Sequence, residues 1–224
     1  MICDNIKIIL ERIEKAKSKA GLKKDIKLIA VTKTVSTDKI IDALGCGITA
    51  IGENRIQEAE KKFREFPVTV KIEKHLIGHL QTNKVKKAVE LFAVIQSVDS
   101  VYLLEEINKQ AEKIKKLQEC FIEIKISEEE KKYGLNPDYM ETVLSKAKEY
   151  KFIKISGLMT IAPYFENPEL ARPYFRRAYN YYSLFAARYP LHYLSMGMTG
   201  DFEVAVEEGS NMVRIGTGIF GERI

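Results

Sequence analysis

The stretch Leu28-Ile29-Ala30-Val31-Thr32-Lys33 begins the pattern that decides the fold, because it contains the first of eight short apolar runs. Runs of this length, bounded by polar or turn-forming residues, are typical of buried strands. The eight runs are Leu28–Val31, Ile48–Ile51, Val70–Leu76, Phe92–Ile95, Phe121–Ile126, Ile153–Leu158, His192–Leu194 and Met212–Ile215. Patterns with helical spacing lie between them, and strands that alternate with helices form right-handed βαβ units in a parallel sheet.

Eight such units in 224 residues match a (β/α)₈ barrel of the TIM type. An open, doubly wound sheet is the alternative, but the number and even spacing of the strands favour the barrel. The predicted helices are Thr37–Leu44, Glu53–Glu65, Thr82–Leu91, Val101–Leu117, Pro137–Glu149, Pro168–Ala187 and Asp201–Glu208. An extra amphipathic helix over Asn5–Ala20 precedes the barrel and is expected to pack against it. Because no Pro/Gly/Ser-rich linker interrupts the chain, we predict a single domain over residues 1–224.

Composition excludes several classes of protein. The chain is 46% hydrophobic and 30% charged, which excludes a disordered or low-complexity protein. Its net charge of +5 is too small to indicate a nucleic-acid partner. No apolar stretch approaches the roughly 20 residues that span a bilayer, and no signal peptide is evident, so we expect a cytoplasmic protein without a membrane partner. Cys3, Cys46 and Cys120 are far apart and predict neither a disulfide framework nor a zinc site.

In a barrel of this type the residues after each strand share one mouth, where the chemistry takes place. Lys33 follows the first run and has the strand parity of Ile29 and Val31, so we expect it to point into that mouth. Among apolar neighbours the pKa of a lysine falls, and its free amine can attack an aldehyde to form a Schiff base. For Lys33 alone, a solvated lysine that closes a strand is the alternative.

The last two strand ends predict an anion site. The seventh run leads into Ser195–Asp201, where Thr199 is expected to cap the following helix. The eighth leads into Arg214–Gly221, whose glycines let backbone amides approach a phosphate. Residues 216–221 also match the dinucleotide pattern GxGxxG, but we reject this interpretation because no helix is expected after it and the sequence stops three residues later.

An amine at one strand end and a phosphate cradle at two others predict a pocket for a phosphorylated aldehyde. A sugar phosphate in a Schiff-base aldolase and pyridoxal 5′-phosphate both fit. Arg214 favours the second, because it can donate to a heterocyclic nitrogen, although it can equally pair with a carboxylate or a phosphate. His75 and His79 are separated by Gly78 and lack a carboxylate at ligand spacing, so no metal site is predicted.

Six segments, in order along nearly the whole chain, resemble the motifs of the pyridoxal phosphate homeostasis proteins, the YggS/PROSC family, whose fold is related to the N-terminal barrel of alanine racemase. They are Ala30–Lys33, Ile51–Glu58, His75–Lys84, Gly157–Pro163, Ser195–Thr199 and Arg214–Thr217. The resemblance implies that Lys33 forms the Schiff base with the cofactor and that Thr199, Gly216 and Thr217 bind its phosphate. It also implies that Arg214 approaches the pyridine nitrogen and that Asn54 lines one side of the ring. Ser195 lies in the strand-seven motif and is included among the cofactor-binding residues.

The loop Ser127–Gly134 also resembles the family, with Tyr133 where a serine is usual and with Lys132 matching a family lysine near the site. A guanidinium repels a pyridinium, so Arg214 weakens the electron sink that best supports carbanion chemistry, although the resemblance implies that alanine racemase tolerates this arrangement. The resemblance also implies that alanine racemase completes its site with a tyrosine from a second domain, whereas this chain ends as the barrel closes. We therefore predict a monomeric carrier or regulator of pyridoxal phosphate with no catalytic residue, serving apo-enzymes transiently. A racemase-like enzyme is the alternative.

Overall fold

Parallel strands close into a barrel in which each strand pairs with the next along the chain and the last pairs with the first. The computed structural model describes residues 1–127, 129 and 133–222, so Lys132 lies outside the described residues. The strands are β1 (Lys27–Val31), β2 (Ala50–Glu53), β3 (Glu73–Leu76), β4 (Val94–Val98), β5 (Gln118–Glu123), β6 (Ile153–Met159), β7 (Tyr193–Ser195) and β8 (Met212–Ile215). The prediction of a (β/α)₈ barrel is confirmed, and the alternative of an open, doubly wound sheet is wrong.

Helices cover the barrel on the outside. They are α1 (Ile2–Lys19), α2 (Thr37–Gly45), α3 (Ile56–Glu65), α4 (Val85–Leu91), α5 (Val101–Lys113), α6 (Met140–Ala147), α7 (Arg172–Ala186), α8 (Phe202–Glu207) and α9 (Thr217–Phe220). Short 3₁₀ turns lead into α4, α6 and α7. Helix α9 was not predicted: it forms one turn inside the GxGxxG stretch 216–221, which follows β8. A single turn is too short to show a helical period in the sequence.

Helix α1 packs its apolar face onto the barrel. Ile6, Ile9 and Ile13 are almost fully buried, in a cluster that includes residues of α2, α8 and α9. Burial of one such side chain stabilises the fold by about 1.5–3 kcal/mol. The prediction that this helix packs against the body of the protein is confirmed. Among the described residues, no helix combines the length and apolarity that a membrane crossing requires.

A disulfide joins Cys3 in α1 to Cys46 at the carboxyl end of α2, with the two α-carbons 5.3 Å apart. The expectation that the cysteines form no disulfide is therefore wrong for this pair. The two residues are separated by 43 positions, and they become neighbours only because α1 lies across α2. Cys120 in β5 is a buried free thiol, and burial raises its pKa.

Candidate functional site

The carboxyl ends of the strands surround one mouth, where the predicted site residues lie. Lys33 is half-buried and follows β1 after one intervening residue, and Asn54 follows β2 directly. Arg214 lies in β8 opposite Ile29 of β1 and is 3% exposed. Ser195 is the last residue of β7. These positions agree with the strand ends inferred from the sequence.

Arg214 is a buried cation held by neutral partners. Its Nη1 donates to Ser195 Oγ at 2.7 Å, and its Nη2 donates to the Thr160 carbonyl at 2.8 Å. Burial lowers the pKa of Arg214 to about 10, although the charges of Glu123 and Asp201 oppose this shift. The guanidinium therefore stays protonated at neutral pH.

A chain of polar side chains continues from Arg214 into the barrel interior. The Ser195 hydroxyl donates to Gln96 Oε1 at 2.7 Å, and Gln96 Nε2 lies 2.9 Å from His75 Nδ1. His75 Nε2 in turn lies 2.9 Å from Glu73 Oε1. Burial lowers the pKa of His75, so we assign a neutral ring that accepts from Gln96 at Nδ1 and carries its proton on Nε2.

This chain fixes the direction of the Arg214 side chain. Because the Ser195 hydroxyl accepts from Arg214 and donates its single proton to Gln96, both partners hold it in one orientation. His75 belongs to this interior chain, and the described residues contain no group of three metal-ligating side chains. Gln96 was not predicted from the sequence, because it directly follows the run Phe92–Ile95, beside Ser97, and no local pattern shows its partners.

Glu123, the last residue of β5, was also not predicted as a site residue from the sequence. Its side chain is buried, and burial raises its pKa to about 7 against the attraction of Arg214. It lines a cavity of about 200 Å³ together with Ile126, Tyr133 and Ile161. The signal in the sequence that could have identified Glu123 is its position as a carboxylate inside the apolar run 121–126.

The loop after β7 contacts the turn after β8. The backbone N–H of Gly218 donates to Thr199 Oγ1 at 3.3 Å. A Cβ at Gly218 would lie 3.2 Å from Thr199 Cγ2, so glycine allows this close approach. Thr199 thus lies beside Gly216 and Thr217, the residues that begin α9.

The prediction that Thr199 caps the following helix is wrong. The residue before α8 is Asp201, and its carboxylate accepts from the backbone N–H of Met198 at 2.6 Å. The Thr199 hydroxyl faces α9 instead, because two residues of backbone separate it from the start of α8. The two threonines and Gly216 are therefore brought together by the pairing of the two loops.

Asn54 presents an unsatisfied polar atom. Its Oδ1 is buried and has no hydrogen-bond partner among the residues that the structure describes. A Cβ at Gly78 would lie 2.4 Å from the Asn54 carbonyl oxygen, so the loop after β3 packs directly on the Asn54 backbone. Buried polar groups normally have a partner, and a ligand in the mouth would supply one here.

Comparison with known proteins places this geometry in a family. The family model of the alanine racemase N-terminal domain matches residues 5–224. A pyridoxal phosphate homeostasis protein of Aquifex aeolicus is 42% identical over 224 residues, covering 99% of this chain and 98% of the relative. The chain belongs to the pyridoxal phosphate homeostasis protein family. The family member of Escherichia coli is 34% identical over 230 residues, covering 99% and 97% of the two chains.

A solved structure of the same family is PipY of Synechococcus elongatus with pyridoxal phosphate bound. It is 33% identical, has a TM-score of 0.83, and the match covers 95% of this chain and all of PipY. Alanine racemase of Clostridium difficile is 16% identical with a TM-score of 0.74, and the match covers 98% of this chain and 57% of the racemase. At that identity, the racemase shares the fold alone with this family member.

Proposed function

We propose that this protein binds pyridoxal 5′-phosphate, holds it as a Schiff base on Lys33, and carries or regulates the cofactor without catalysing a reaction. The names of its relatives and the cofactor bound to PipY support the choice of ligand. The observation that carries the proposal is the buried Arg214 held by neutral partners in the strand-eight position.

The residues in the mouth suit this cofactor. When bound, the cofactor supplies an aldehyde for an amine and a heterocycle that can take up negative charge. Lys33 provides the amine, and Thr199, Gly216 and Thr217 provide hydroxyl and backbone donors for the phosphate. Asn54, with its unpartnered buried oxygen, lines the ring side.

Arg214 argues for a carrier rather than a catalyst. With a pKa of about 10, it keeps its proton at neutral pH, and its hydrogen-bond acceptors are a hydroxyl and a carbonyl. A guanidinium beside the ring nitrogen disfavours the protonated nitrogen by charge repulsion. The ring is then a weaker sink for electrons, which suits storage better than carbanion chemistry. Ser195 acts through Arg214 by holding it in this orientation.

A racemase-like enzyme is the second candidate, and Glu123 is the observation that favours it. A buried carboxyl with a pKa of about 7 is suited to proton transfer near neutral pH. Incubating the loaded protein with a panel of single-enantiomer amino acids discriminates the two candidates. Stereospecific turnover that is lost in Lys33→Ala would establish the enzyme, whereas no turnover supports the carrier.

A visible spectrum recorded before and after borohydride reduction, followed by peptide mapping, tests the cofactor site. We expect pyridoxal phosphate to produce a Schiff-base absorption that Lys33→Ala abolishes, and we expect the reduced label to lie on Lys33. Lys39→Ala is the matched control, because Lys39 is an exposed lysine of the nearby helix α2. A label on another lysine contradicts the assignment, and a protein that forms no adduct contradicts the proposed ligand.

Two further parts of the proposal concern partners. We propose that the protein is a monomer and that it hands the cofactor transiently to apo-enzymes. Light scattering on an eluting peak measures the mass directly, and 25.6 kDa is the expected value. Transfer is measured by the recovery of activity of a purified apo-enzyme, and recovery no faster than with an equal concentration of free cofactor contradicts delivery.

A further inference from the structure

A buried charged cluster lies next to the strand end that carries Lys33. It consists of Lys62 and Glu58 from α3 and Glu53, the last residue of β2, and is called the Lys62 cluster below. Lys62 Nζ lies 2.9 Å from Glu53 Oε1 and 2.5 Å from Glu58 Oε1, and the lysine side chain is only 10% exposed. Burying charges is costly, so such a cluster indicates a specific structural or functional requirement.

The Lys62 cluster is bonded to the backbone on both sides of Lys33. Lys62 Nζ donates to the Thr32 carbonyl at 2.5 Å, and the Thr34 N–H donates to Glu58 Oε1 at 2.5 Å. The Thr32 carbonyl belongs to the peptide group before Lys33, and the Thr34 N–H belongs to the peptide group after it. The cluster therefore holds both peptide groups that flank the Lys33 α-carbon.

One further contact of the cluster restrains the same turn, which contains a residue in an unusual backbone conformation. The Thr32 hydroxyl donates to Glu53 Oε1 at 2.7 Å. Thr34 has a φ of +60°, a left-handed conformation that residues with a Cβ adopt reluctantly. Thr34 is held in this conformation by its hydrogen bond to Glu58. Without the cluster, the turn keeps the backbone bond from the Val35 N–H to the Thr32 carbonyl at 3.0 Å but loses the side-chain bonds on both sides of Lys33.

We propose that Lys62, Glu53 and Glu58 are positioning residues that hold the Lys33 backbone so that its amine reaches a carbonyl ligand in the mouth. The inference rests on the proposed function of Lys33. In the bond-forming step, the Lys33 nitrogen forms a C=N bond to the aldehyde carbon, and the aldehyde oxygen leaves as water with the two amine hydrogens. The cluster acts before this step, because a fixed backbone raises the fraction of amines in the attack geometry.

The test compares Lys62→Met and Glu58→Ala with two controls. Glu58→Gln keeps an oxygen that can accept from the Thr34 N–H. Arg64→Met removes a positive charge from the same helix at a side chain that is 76% exposed and lies outside the cluster. One measurement is the rate of Schiff-base formation with pyridoxal phosphate. The other is the affinity for pyridoxine 5′-phosphate, which has the ring and phosphate but no aldehyde.

We expect Lys62→Met and Glu58→Ala to slow Schiff-base formation by about 10- to 100-fold, the size of effect that misplaced reacting groups cause. Their affinity for pyridoxine phosphate is expected to stay unchanged, because the cluster does not line the phosphate loops. Glu58→Gln and Arg64→Met are expected to react like the wild type. In the ligand-free protein, amide exchange at Thr34 is expected to speed up in Glu58→Ala and to stay slow in Glu58→Gln.

The outcomes separate the two proposals. A wild-type protein that forms no Schiff base at Lys33 contradicts the proposed function. A wild type that does, together with folded Lys62→Met and Glu58→Ala variants that react at the wild-type rate, overturns the positioning role. The positioning role is also overturned if the variants lose affinity for pyridoxine phosphate by the same factor as they lose rate, because the whole binding site is then disturbed. If Lys62→Met does not fold, Glu58→Ala decides, since the Glu58 side chain is 25% exposed and easier to replace.

Discussion

Replacing Glu123 with glutamine removes a buried carboxyl group at the end of β5 while keeping its shape. The residue is 7% exposed, and burial raises its pKa from 4.5 to about 7. Folding therefore makes this carboxyl harder to ionise. The variant isolates that effect in the ligand-free protein.

The sign of the effect follows from proton binding. Between pH 4.5 and about 7 the folded protein holds more protons at Glu123 than the unfolded chain does, so its stability falls as the pH rises. At about 1.4 kcal/mol per pH unit, the difference between 4.5 and about 7 corresponds to about 3 kcal/mol. We expect Glu123→Gln to raise the free energy of unfolding by about 3 kcal/mol at pH 8.5 and by about 1 kcal/mol at pH 5.

Urea unfolding at pH 5, 7 and 8.5 measures this difference. Glu105→Gln is the matched control, because Glu105 is an exposed carboxylate of α5, and its change is expected to stay within about 0.5 kcal/mol at every pH. A stabilisation by Glu123→Gln that is the same at all three pH values would refute the reasoning. So would a stabilisation that is largest at pH 5.

Two further predictions concern the interior polar chain and the disulfide. Gln96→Leu leaves the Ser195 hydroxyl without its acceptor and His75 Nδ1 without its donor. We therefore expect the free energy of unfolding, measured in urea, to fall by about 2–4 kcal/mol. An unchanged free energy of unfolding contradicts the role of the interior polar chain. Cys3→Ser opens a cross-link spanning 43 positions to Cys46, and we expect a loss of about 4 kcal/mol relative to the oxidised protein, with no further effect of reductant on the variant. Counting thiols in unreduced, denatured protein checks the bond itself, because three reactive thiols instead of one contradict it.

The strands could be predicted because each leaves a local signal. The run Met212–Ile215 matches β8, and Leu28–Val31 differs from β1 by one residue. The predicted helix 53–65 begins three residues too early, because the strand β2 continues through Glu53. Helix α9 was not predicted, because its four residues are too few to show the 3.6-residue spacing of apolar side chains that identifies a helix.

The candidate site was predictable where it depends on strand ends. Lys33 and Ser195 follow apolar runs, Arg214 lies inside the last run, and a barrel brings the carboxyl ends of its strands to one mouth. Gln96 and Glu123 were not predictable as site residues. Glu123 lies inside the run Phe121–Ile126 and Gln96 directly follows the run Phe92–Ile95, and the role of each depends on partners from strands far away in sequence.

The sequence by itself determined the barrel, the placement of an amine and an arginine at its mouth, and the family, because these depend on local patterns and their order along the chain. Only the tertiary structure decided which atoms meet. The contact of Lys62 with the backbone at Lys33, the chain from Arg214 to His75 and the Cys3–Cys46 bond all join distant segments. Hydrogen bonds and burial depend on distances between side chains, and those distances exist only once the strands have closed.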